Sequence, residues 1–225
     1  MKNVLDYLYK LQKNNNREWF QENKKEFQKI QAEFNDFVAG LIDGIAGFDD
    51  SVRGLAPKDC VYRIYRDVRF SPNKLPYKNH MSAYIAPGGK NAGNAGYYFH
   101  VEPEGGMMIG GNFISAGIYM PEPNILRSIR EDITLNGEQF VKMVKNGKDL
   151  NLNKEDSLKR VPLGFPIDSP YAEYLKLKNF SLDRSLSNEF VTSPDVLDKT
   201  LAEFRQAADF VKWLNKAAQY GREEF

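Results

Sequence analysis

Cysteine and histidine are scarce in this sequence, which has one cysteine and two histidines among its 225 residues. The lone cysteine, Cys60, excludes an internal disulfide and a zinc site built from several thiolates, and it fits a reducing compartment. Because His80 and His100 are the only histidines, a histidine-rich metal site is excluded as well. We therefore predict no metal site and no cofactor.

The sequence also lacks a long apolar run and an excess of charge of either sign. No apolar run approaches the roughly 20 residues of a membrane-spanning helix, and the opening segment carries charges through its only apolar part, unlike a secretory signal. The 31 basic and 30 acidic residues nearly cancel, so no field of the whole molecule draws it to nucleic acid or anionic lipid. We expect a cytoplasmic protein with no membrane partner, in which any anion site is local.

Helical periodicity marks both ends of the chain. Apolar residues recur at three- and four-residue spacings through residues 4–12 and 19–42 and again through residues 197–214. Asn15 followed by Glu18 has the form of a capping box, so a helix is predicted to begin there and to continue to Gly47, either as a helical hairpin or as one kinked helix. Further helices are predicted at residues 120–133 and 137–144, and after Pro170 and Pro194.

Between these helical ends, residues 60–120 are rich in Tyr, Val, Ile and Phe and are interrupted by Gly and Pro, as is typical of strands joined by turns. PEGG (103–106) is predicted to be a four-residue hairpin loop. The predicted strands are CVYRIYRDV (60–68), HMSAYIA (80–86), GYYFHVE (96–102), MMIGGNF (107–113) and a segment around GIYM (117–120). The predicted fold class is a single α+β domain over residues 1–225, with a mostly antiparallel central sheet flanked by N-terminal and C-terminal helices.

The most unusual segment is YRIYRDVRFSPNKLPYKNH (62–80), which holds five cations and one acid in a chain of balanced charge. As a strand, it places Arg66 and Phe70 with the apolar residues on one face, and a buried guanidinium needs a carboxylate, carbonyls or a bound anion. Arginines on a strand beside lysines on a proline-stiffened loop suit phosphate, and Tyr65 and Tyr77 suit stacking on a base or sugar. The candidate ligand-binding residues here are Arg63, Arg66, Asp67, Arg69, Lys74, Tyr77 and Lys78.

A second candidate pair lies on the strand predicted over residues 96–102. His100 and Glu102 share one face of that strand, with Tyr98 beside them. A histidine and a carboxylate spaced in this way suit acid–base catalysis or metal ligation, so both residues join the candidate ligand-binding set. The alternative is that they only line the wet face of a sheet, because a metal site normally needs three or more ligands.

Four segments of the chain resemble one known family. They are NNNREWFQENKKEF (14–27), RIYRDVRFSPNKLPYKNH (63–80), AGYYFHVEPEGGMMIGGNFI (95–114) and MPEPNILRSIREDI (120–133), with weaker similarity through residues 159–180. Together they are similar to the bacterial proteins grouped as domain-of-unknown-function family 2461. The signature of that family falls on Arg17, Trp19, Arg63, Arg66, Asp67, Arg69, Phe70, Lys74, Pro76, Tyr77, Lys78 and Arg130. Asn73 and Leu75 depart from it, standing where Asp and Thr are usual.

The family has no known activity, so the resemblance indicates a site and not a reaction. One hypothesis is that the chain binds a phosphorylated small molecule or a nucleic-acid backbone through the Arg/Lys cluster. A second is an enzyme acting on phosphoryl groups or phosphodiesters through Asp67, His100 or Glu102. A third is a structural or protein-binding domain in which the cluster is an internal ion network that reaches the first helix through Glu18 or Glu22.

Overall fold

The structure is a computed structural model that describes residues 1–224. Its helices are α1 (Lys2–Lys13), α2 (Arg17–Glu22), α3 (Lys24–Ala46), α4 (Pro57–Cys60), α5 (Pro123–Asn146), α6 (Ala172–Leu175), α7 (Asn188–Thr192), α8 (Val196–Gln206) and α9 (Ala208–Glu224). Its strands are β1 (Met81–Ile85), β2 (Gly96–Val101), β3 (Asn112–Ile118), β4 (Asn151–Leu152) and β5 (Phe180–Leu186). They form one antiparallel sheet in the order β1-β2-β3-β5-β4. The predicted α+β class is confirmed.

Two of the predicted strands, at residues 80–86 and 96–102, are confirmed as β1 and β2. The strand predicted over residues 107–113 is confirmed only at its end, because β3 begins at Asn112. The amide groups of residues 108–110 donate to the Glu102 carboxylate and are not available for a ladder. The connection between β2 and β3 is therefore longer than the predicted four-residue loop. Of the separate strand predicted around residues 117–120, residues 117–118 are part of β3, which ends at Ile118.

β5 is a strand that the sequence pattern does not reveal. It lies between β3 and β4 and pairs with β3 along its whole length. Three polar residues in succession, Asp183, Arg184 and Ser185, interrupt the alternation by which a half-buried strand is recognised. Its position in the sheet comes from pairing partners that lie far away in the sequence.

The strand predicted over residues 60–68 is wrong. The segment forms only two isolated bridges, one to β1 and one between Tyr65 and Tyr77. It folds back on its own downstream residues, where Pro76 has no N–H with which to continue a ladder. The predicted alternation of faces is lost as well, since Phe70, which was expected on the apolar face, is 95% exposed.

The N-terminal helical segment is confirmed as helix but begins one residue later than predicted. Asn16, not Asn15, caps α2, with its Oδ1 accepting the backbone N–H of Trp19 at 2.9 Å. α2 and α3 meet at Asn23, and α1 precedes them. The two helices predicted over residues 120–144 are one helix, α5, with a kink at Asn136.

The two faces of the sheet differ in what they carry. On one face, buried side chains pack on the helices: the ring centroids of Phe99 and Phe37 are 4.8 Å apart, and those of Tyr97 and Phe204 are 5.3 Å apart. The other face, here called the polar face, carries side chains that stay partly exposed, namely Tyr84, Tyr98, Phe113, Ser115 and Asp183. No helix within residues 1–224 is long and apolar enough to cross a membrane.

Candidate functional site

The cation-rich loop (62–80) lies beside β1 and is held together largely by its own side chains. Arg66 is partly buried and donates to the carbonyl oxygen of Leu75 at 2.8 Å. Arg69 binds both carboxylate oxygens of Asp67, at 3.0 and 2.7 Å, and this hydrogen bonding lowers the pKa of Asp67. Two of the five cations of the loop therefore have partners within it.

Lys74 and Tyr77 are also engaged. The Nζ atom of Lys74 donates to the carbonyl oxygen of Val68 at 3.0 Å. The ring of Tyr77 is buried and stacks on Phe20 with the centroids 3.9 Å apart, so that face is not available to a ligand. The Asn15 side chain donates to the Tyr77 carbonyl at 2.9 Å and accepts the Tyr77 N–H at 3.1 Å. It is Asn15 that ties this loop to the helical N-terminus.

A surface pocket of about 710 Å³ separates the start of α2 from the cation-rich loop. The charged residues in its lining are Arg17 and Lys74, and Asn16 and Pro72 are among the others. Because Lys74 is already bound to backbone carbonyls, this pocket holds one free cation among its lining residues.

Arg63 and Lys78 differ from the other cations of the loop, because neither side chain forms a hydrogen bond or an ion pair with any part of the chain from residue 1 to residue 224. Lys78 Nζ lies 5.5 Å from the centroid of the Tyr62 ring. Burial and the nearby charge of Arg63 both lower the pKa of Lys78. The acid in this loop, Asp67, forms an ion pair with Arg69. An anion beside Arg63 and Lys78 would relieve their mutual repulsion.

An aromatic surface borders these two cations. The centroid of Tyr62 is 6.5 Å from that of Tyr98, which in turn is 6.5 Å from Tyr84 and 5.2 Å from Phe113. All four side chains are partly exposed. Burial raises the pKa of Tyr98 to about 12, so its hydroxyl keeps its proton at neutral pH.

Tyr98 is the outer end of a hydrogen-bonded chain that leads to a buried carboxylate. Its hydroxyl lies 3.0 Å from His100 Nδ1, and His100 Nε2 lies 3.3 Å from Glu102 Oε2. His100 and Glu102 are both fully buried. Since an ionised carboxylate only accepts hydrogen bonds, Nε2 carries the proton toward Glu102, and Nδ1 of the neutral ring accepts the Tyr98 hydroxyl. The pair is thus buried and does not line a wet surface.

The Glu102 carboxylate also organises the turn that follows β2. It accepts the backbone N–H groups of Met108, Ile109 and Gly110, each at 2.9 Å. Burial acts to raise the pKa of Glu102, but the hydrogen bonds from the imidazole and the three amides together lower it to about 2. Gly106 packs directly against this carboxylate, where a Cβ atom would collide with it.

His80 completes the cluster, and sequence reasoning did not associate it with the other two residues. Its ring stacks on His100 with the centroids 4.6 Å apart, and its Nδ1 lies 3.9 Å from Glu102 Oε1. Burial is the largest cause that lowers the pKa of His80, to about 3. The signal was present in the predicted hairpin, because extending the pairing of Met81 with Val101 by one pair places His80 opposite Glu102.

The structure therefore separates the candidate residues into three groups. One is the buried cluster of His100 and Glu102, which gains His80 and Tyr98. Another is the pair of unpartnered cations, with Tyr62 as an aromatic neighbour that sequence reasoning missed. The third group, whose members have partners within the loop or the core, consists of Arg66, Asp67, Arg69, Lys74 and Tyr77.

Comparison with known proteins places the chain in a family without assigning it a reaction. No curated protein and no solved structure matches it significantly. The model of one family, described as conserved hypothetical protein (DUF2461), matches residues 3–213. That match covers nearly the whole chain and agrees with the resemblance seen in the cation-rich loop and in β2. The chain accordingly belongs to the DUF2461 family of conserved hypothetical proteins.

Proposed function

We propose that the protein binds a phosphate-bearing ligand beside the edge strand β1, through Arg63 and Lys78. The observation that carries this proposal is the presence of two neighbouring cations whose side chains form no ion pair within residues 1–224, since Asp67, which acts on Arg63 through longer-range electrostatics, is paired with Arg69. A phosphate offers the planar guanidinium two oxygens and the ammonium a compact negative charge. Such a ligand would offset both the burial of Lys78 and its repulsion by Arg63.

The aromatic neighbours favour a nucleotide or a single nucleic-acid strand as the source of the phosphate. Tyr62, Tyr98 and Phe113 form a partly exposed row next to the cations. Bases stack on such side chains with little regard to sequence, while cations nearby bind the backbone. A phosphorylated small molecule without a base would use the cations alone.

Binding is tested by titrating the purified protein with inorganic pyrophosphate, adenosine triphosphate and a short oligothymidylate, using calorimetry. We expect Arg63→Ala and Lys78→Ala each to weaken the binding of every phosphate probe by about tenfold or more, the loss typical of a charge-assisted contact. For the oligonucleotide, the logarithm of affinity should fall with the logarithm of salt concentration by about 0.7 per phosphate contacted. An oligonucleotide affinity that is indifferent to salt would leave only the small-molecule ligand.

Arg69→Ala is the matched control, because Arg69 belongs to the same loop but is paired with Asp67. It should bind the probes as tightly as the wild type does. If no probe binds below about 1 mM, which is a very weak affinity, or if Arg69→Ala loses as much affinity as Arg63→Ala, the proposal is wrong.

A second candidate function, acid–base catalysis on the same ligand, is favoured by the hydrogen-bonded chain from Glu102 through His100 to Tyr98. A buried carboxylate that orients an imidazole, which in turn accepts a partly exposed hydroxyl, is the arrangement of an activated side chain. Tyr98→Phe would abolish turnover of a phosphate ester while leaving ligand binding within about twofold. Loss of binding in this variant would instead make Tyr98 a ligand contact.

We also propose that the protein acts in the cytoplasm. Cys60 is the only cysteine, it is buried, and it has no disulfide partner. A single unpaired thiol supports a reducing compartment.

A further inference from the structure

We infer that His80, His100 and Glu102 bind one divalent transition-metal ion of the zinc class. Their ligand atoms lie within 4.8 Å of one another, at the edge of the sheet where β1 begins and β2 ends. Two imidazoles and one carboxylate form a donor set that Zn²⁺ and its neighbours in the first transition row accept. This inference is independent of the proposed phosphate ligand, because it involves neither Arg63 nor Lys78.

The strongest support is an unsatisfied atom within the cluster. His80 Nδ1 is buried and has no hydrogen-bond partner, and the whole residue is only 9% exposed, so water does not readily supply one. A buried polar atom without a partner is costly, and native structures normally supply one. Glu102 Oε1 is 3.9 Å from this atom, which is too far for a hydrogen bond. A metal ion between the two atoms would be a partner for both.

The Glu102 carboxylate has capacity left for a metal ion. The Oε2 atom is fully used, because it accepts the amides of Ile109 and Gly110 and faces His100 Nε2, whereas Oε1 accepts one amide, that of Met108. Only one of these amides donates to Oε1, the oxygen near His80. The amides therefore orient the carboxylate as a second coordination shell does, while one position on Oε1 remains for coordination.

The distances within the cluster are longer than those of a coordination sphere by an amount that side chains can close. Ligand bonds of about 2.0–2.1 Å at tetrahedral angles separate two donor atoms by roughly 3.3 Å. His80 Nδ1 and Glu102 Oε1 are 3.9 Å apart, and one donor atom from each of the three residues lies within 4.8 Å of the others. Shifts of at most about 1.5 Å in any one separation would bring the three donors to the spacing of a bound ion.

Metal binding requires the other tautomer of the His100 ring. Nε2 carries a hydrogen toward Glu102 in the metal-free arrangement, so this nitrogen must give up its proton to solvent before it can coordinate the ion. Nδ1 gains a proton from the Tyr98 hydroxyl, which takes one back from solvent, so the ring keeps one proton and none is released overall. Nδ1 then donates to the Tyr98 oxygen, which reverses that hydrogen bond. Three protein ligands leave a fourth position for water or an anion, as in zinc sites that act on substrates.

The test is a titration of untagged, chelator-treated protein with Co²⁺ and Zn²⁺, followed by absorption and by NMR of the imidazole nitrogens. Since His80 and His100 are the only histidines in the chain, every histidine signal comes from this cluster. We expect one equivalent of Co²⁺ to give the intense visible bands of a tetrahedral site, with shifts of nitrogens in both rings. His80→Ala and Glu102→Gln should each weaken binding by about 100-fold or more, since each removes a ligand.

Glu104→Gln is the control, because Glu104 is an exposed carboxylate two residues beyond Glu102 and should leave metal affinity unchanged. The inference is overturned if the wild type binds neither ion below about 100 µM, far weaker than structural zinc sites. It is equally overturned if neither ring of the wild type shifts, a result that does not depend on whether the variants fold. Unchanged affinity in His80→Ala would remove His80 from the site and leave too few ligands.

Discussion

His80 lies opposite Glu102, one pair beyond the ladder that joins β1 to β2, with His80 Nδ1 3.9 Å from Glu102 Oε1. The same carboxylate receives the His100 imidazole at 3.3 Å and the amides of the turn after β2. One buried group therefore connects both histidines to a turn that carries exposed apolar side chains. The stability of the turn and the chemistry of the histidines should respond together to any change at Glu102.

The first prediction concerns the pH dependence contributed by His80. Its pKa is about 3 in the folded chain and near 6.5 in the unfolded chain. Between pH 6.5 and pH 3, the unfolded state therefore binds a proton that the folded state does not bind. Stability should fall as pH drops from 6.5 toward 3, by up to about 1.4 kcal/mol per pH unit for this one group. Denaturant titrations of wild type and His80→Gln measure this, and the variant should have a flatter slope between pH 6.5 and 5. Equal slopes would contradict the neutral state of His80.

Glu102 should contribute at lower pH and with the same sign, because its folded pKa is also lowered. Its folded pKa of about 2 lies below the value of 4.5 for an unperturbed glutamate, so its stabilisation is complete above 4.5 and is lost as pH falls toward 2. At neutral pH, Glu102→Gln should cost about 2–3 kcal/mol, because buried donors lose their charged acceptor. It should also flatten the loss of stability between pH 4.5 and 2. The exposed Glu104→Gln serves as control, and a similar response in both variants would refute a special role for Glu102.

Two glycines of the same turn offer a matched pair of substitutions. An alanine Cβ at Gly106 would collide with the Glu102 side chain, whereas at Gly111 it would meet nothing within 4 Å. We expect Gly106→Ala to destabilise the protein by about 2 kcal/mol or more, and Gly111→Ala to stay within about 0.5 kcal/mol of wild type. Thermal unfolding of the two variants measures the difference. Equal midpoints would show that the turn moves away from the carboxylate without cost.

Asn15 should be a stability residue rather than a helix cap. Its side chain pairs with both backbone groups of Tyr77, so Asn15→Ala leaves an N–H and a C=O without partners and should cost about 1–2 kcal/mol. Asn91→Ala is the comparison, since Asn91 is exposed and makes no side-chain hydrogen bond within residues 1–224. Urea unfolding should separate the two variants. Near-ultraviolet circular dichroism should also show a loosened stack of Tyr77 on Phe20 in Asn15→Ala only.

Cys60 should be unreactive in the folded protein. Burial, together with the charge of Asp59, raises the pKa of the Cys60 thiol to about 11, so little thiolate forms at pH 8. We expect an aromatic disulfide reagent to modify native protein over hours and denatured protein within seconds, with one equivalent consumed. Rapid modification of the native protein would show that the core around Cys60 opens readily.

Much of the fold follows from periodicity, and the errors have local causes. Apolar spacing identified the terminal helices, and strand-forming residues bounded by Gly and Pro identified β1 and β2. Most of the strand predicted over residues 107–113 failed because the Glu102 carboxylate accepts amides that a ladder would need. The strand predicted over residues 60–68 failed because the loop closes on itself around Arg66 and its carbonyl partner. In both cases a side chain competes with the sheet for backbone hydrogen bonds, and propensity does not register that competition.

By itself, the sequence determined the α+β class, the family, and the two segments in which charged and titratable side chains concentrate. Those properties depend on local pattern and composition, which can be read from short segments of the sequence without knowing the fold. Only the tertiary structure decided which cations stay unpartnered and which acid meets the histidines. Within the described residues, Arg63 and Lys78 form no ion pair because the Asp67 carboxylate binds Arg69. His80 lies near Glu102 because the β1–β2 register places the two residues opposite each other. Contacts between residues distant in the chain depend on that register and on competing partners, so they exist only once the sheet has formed.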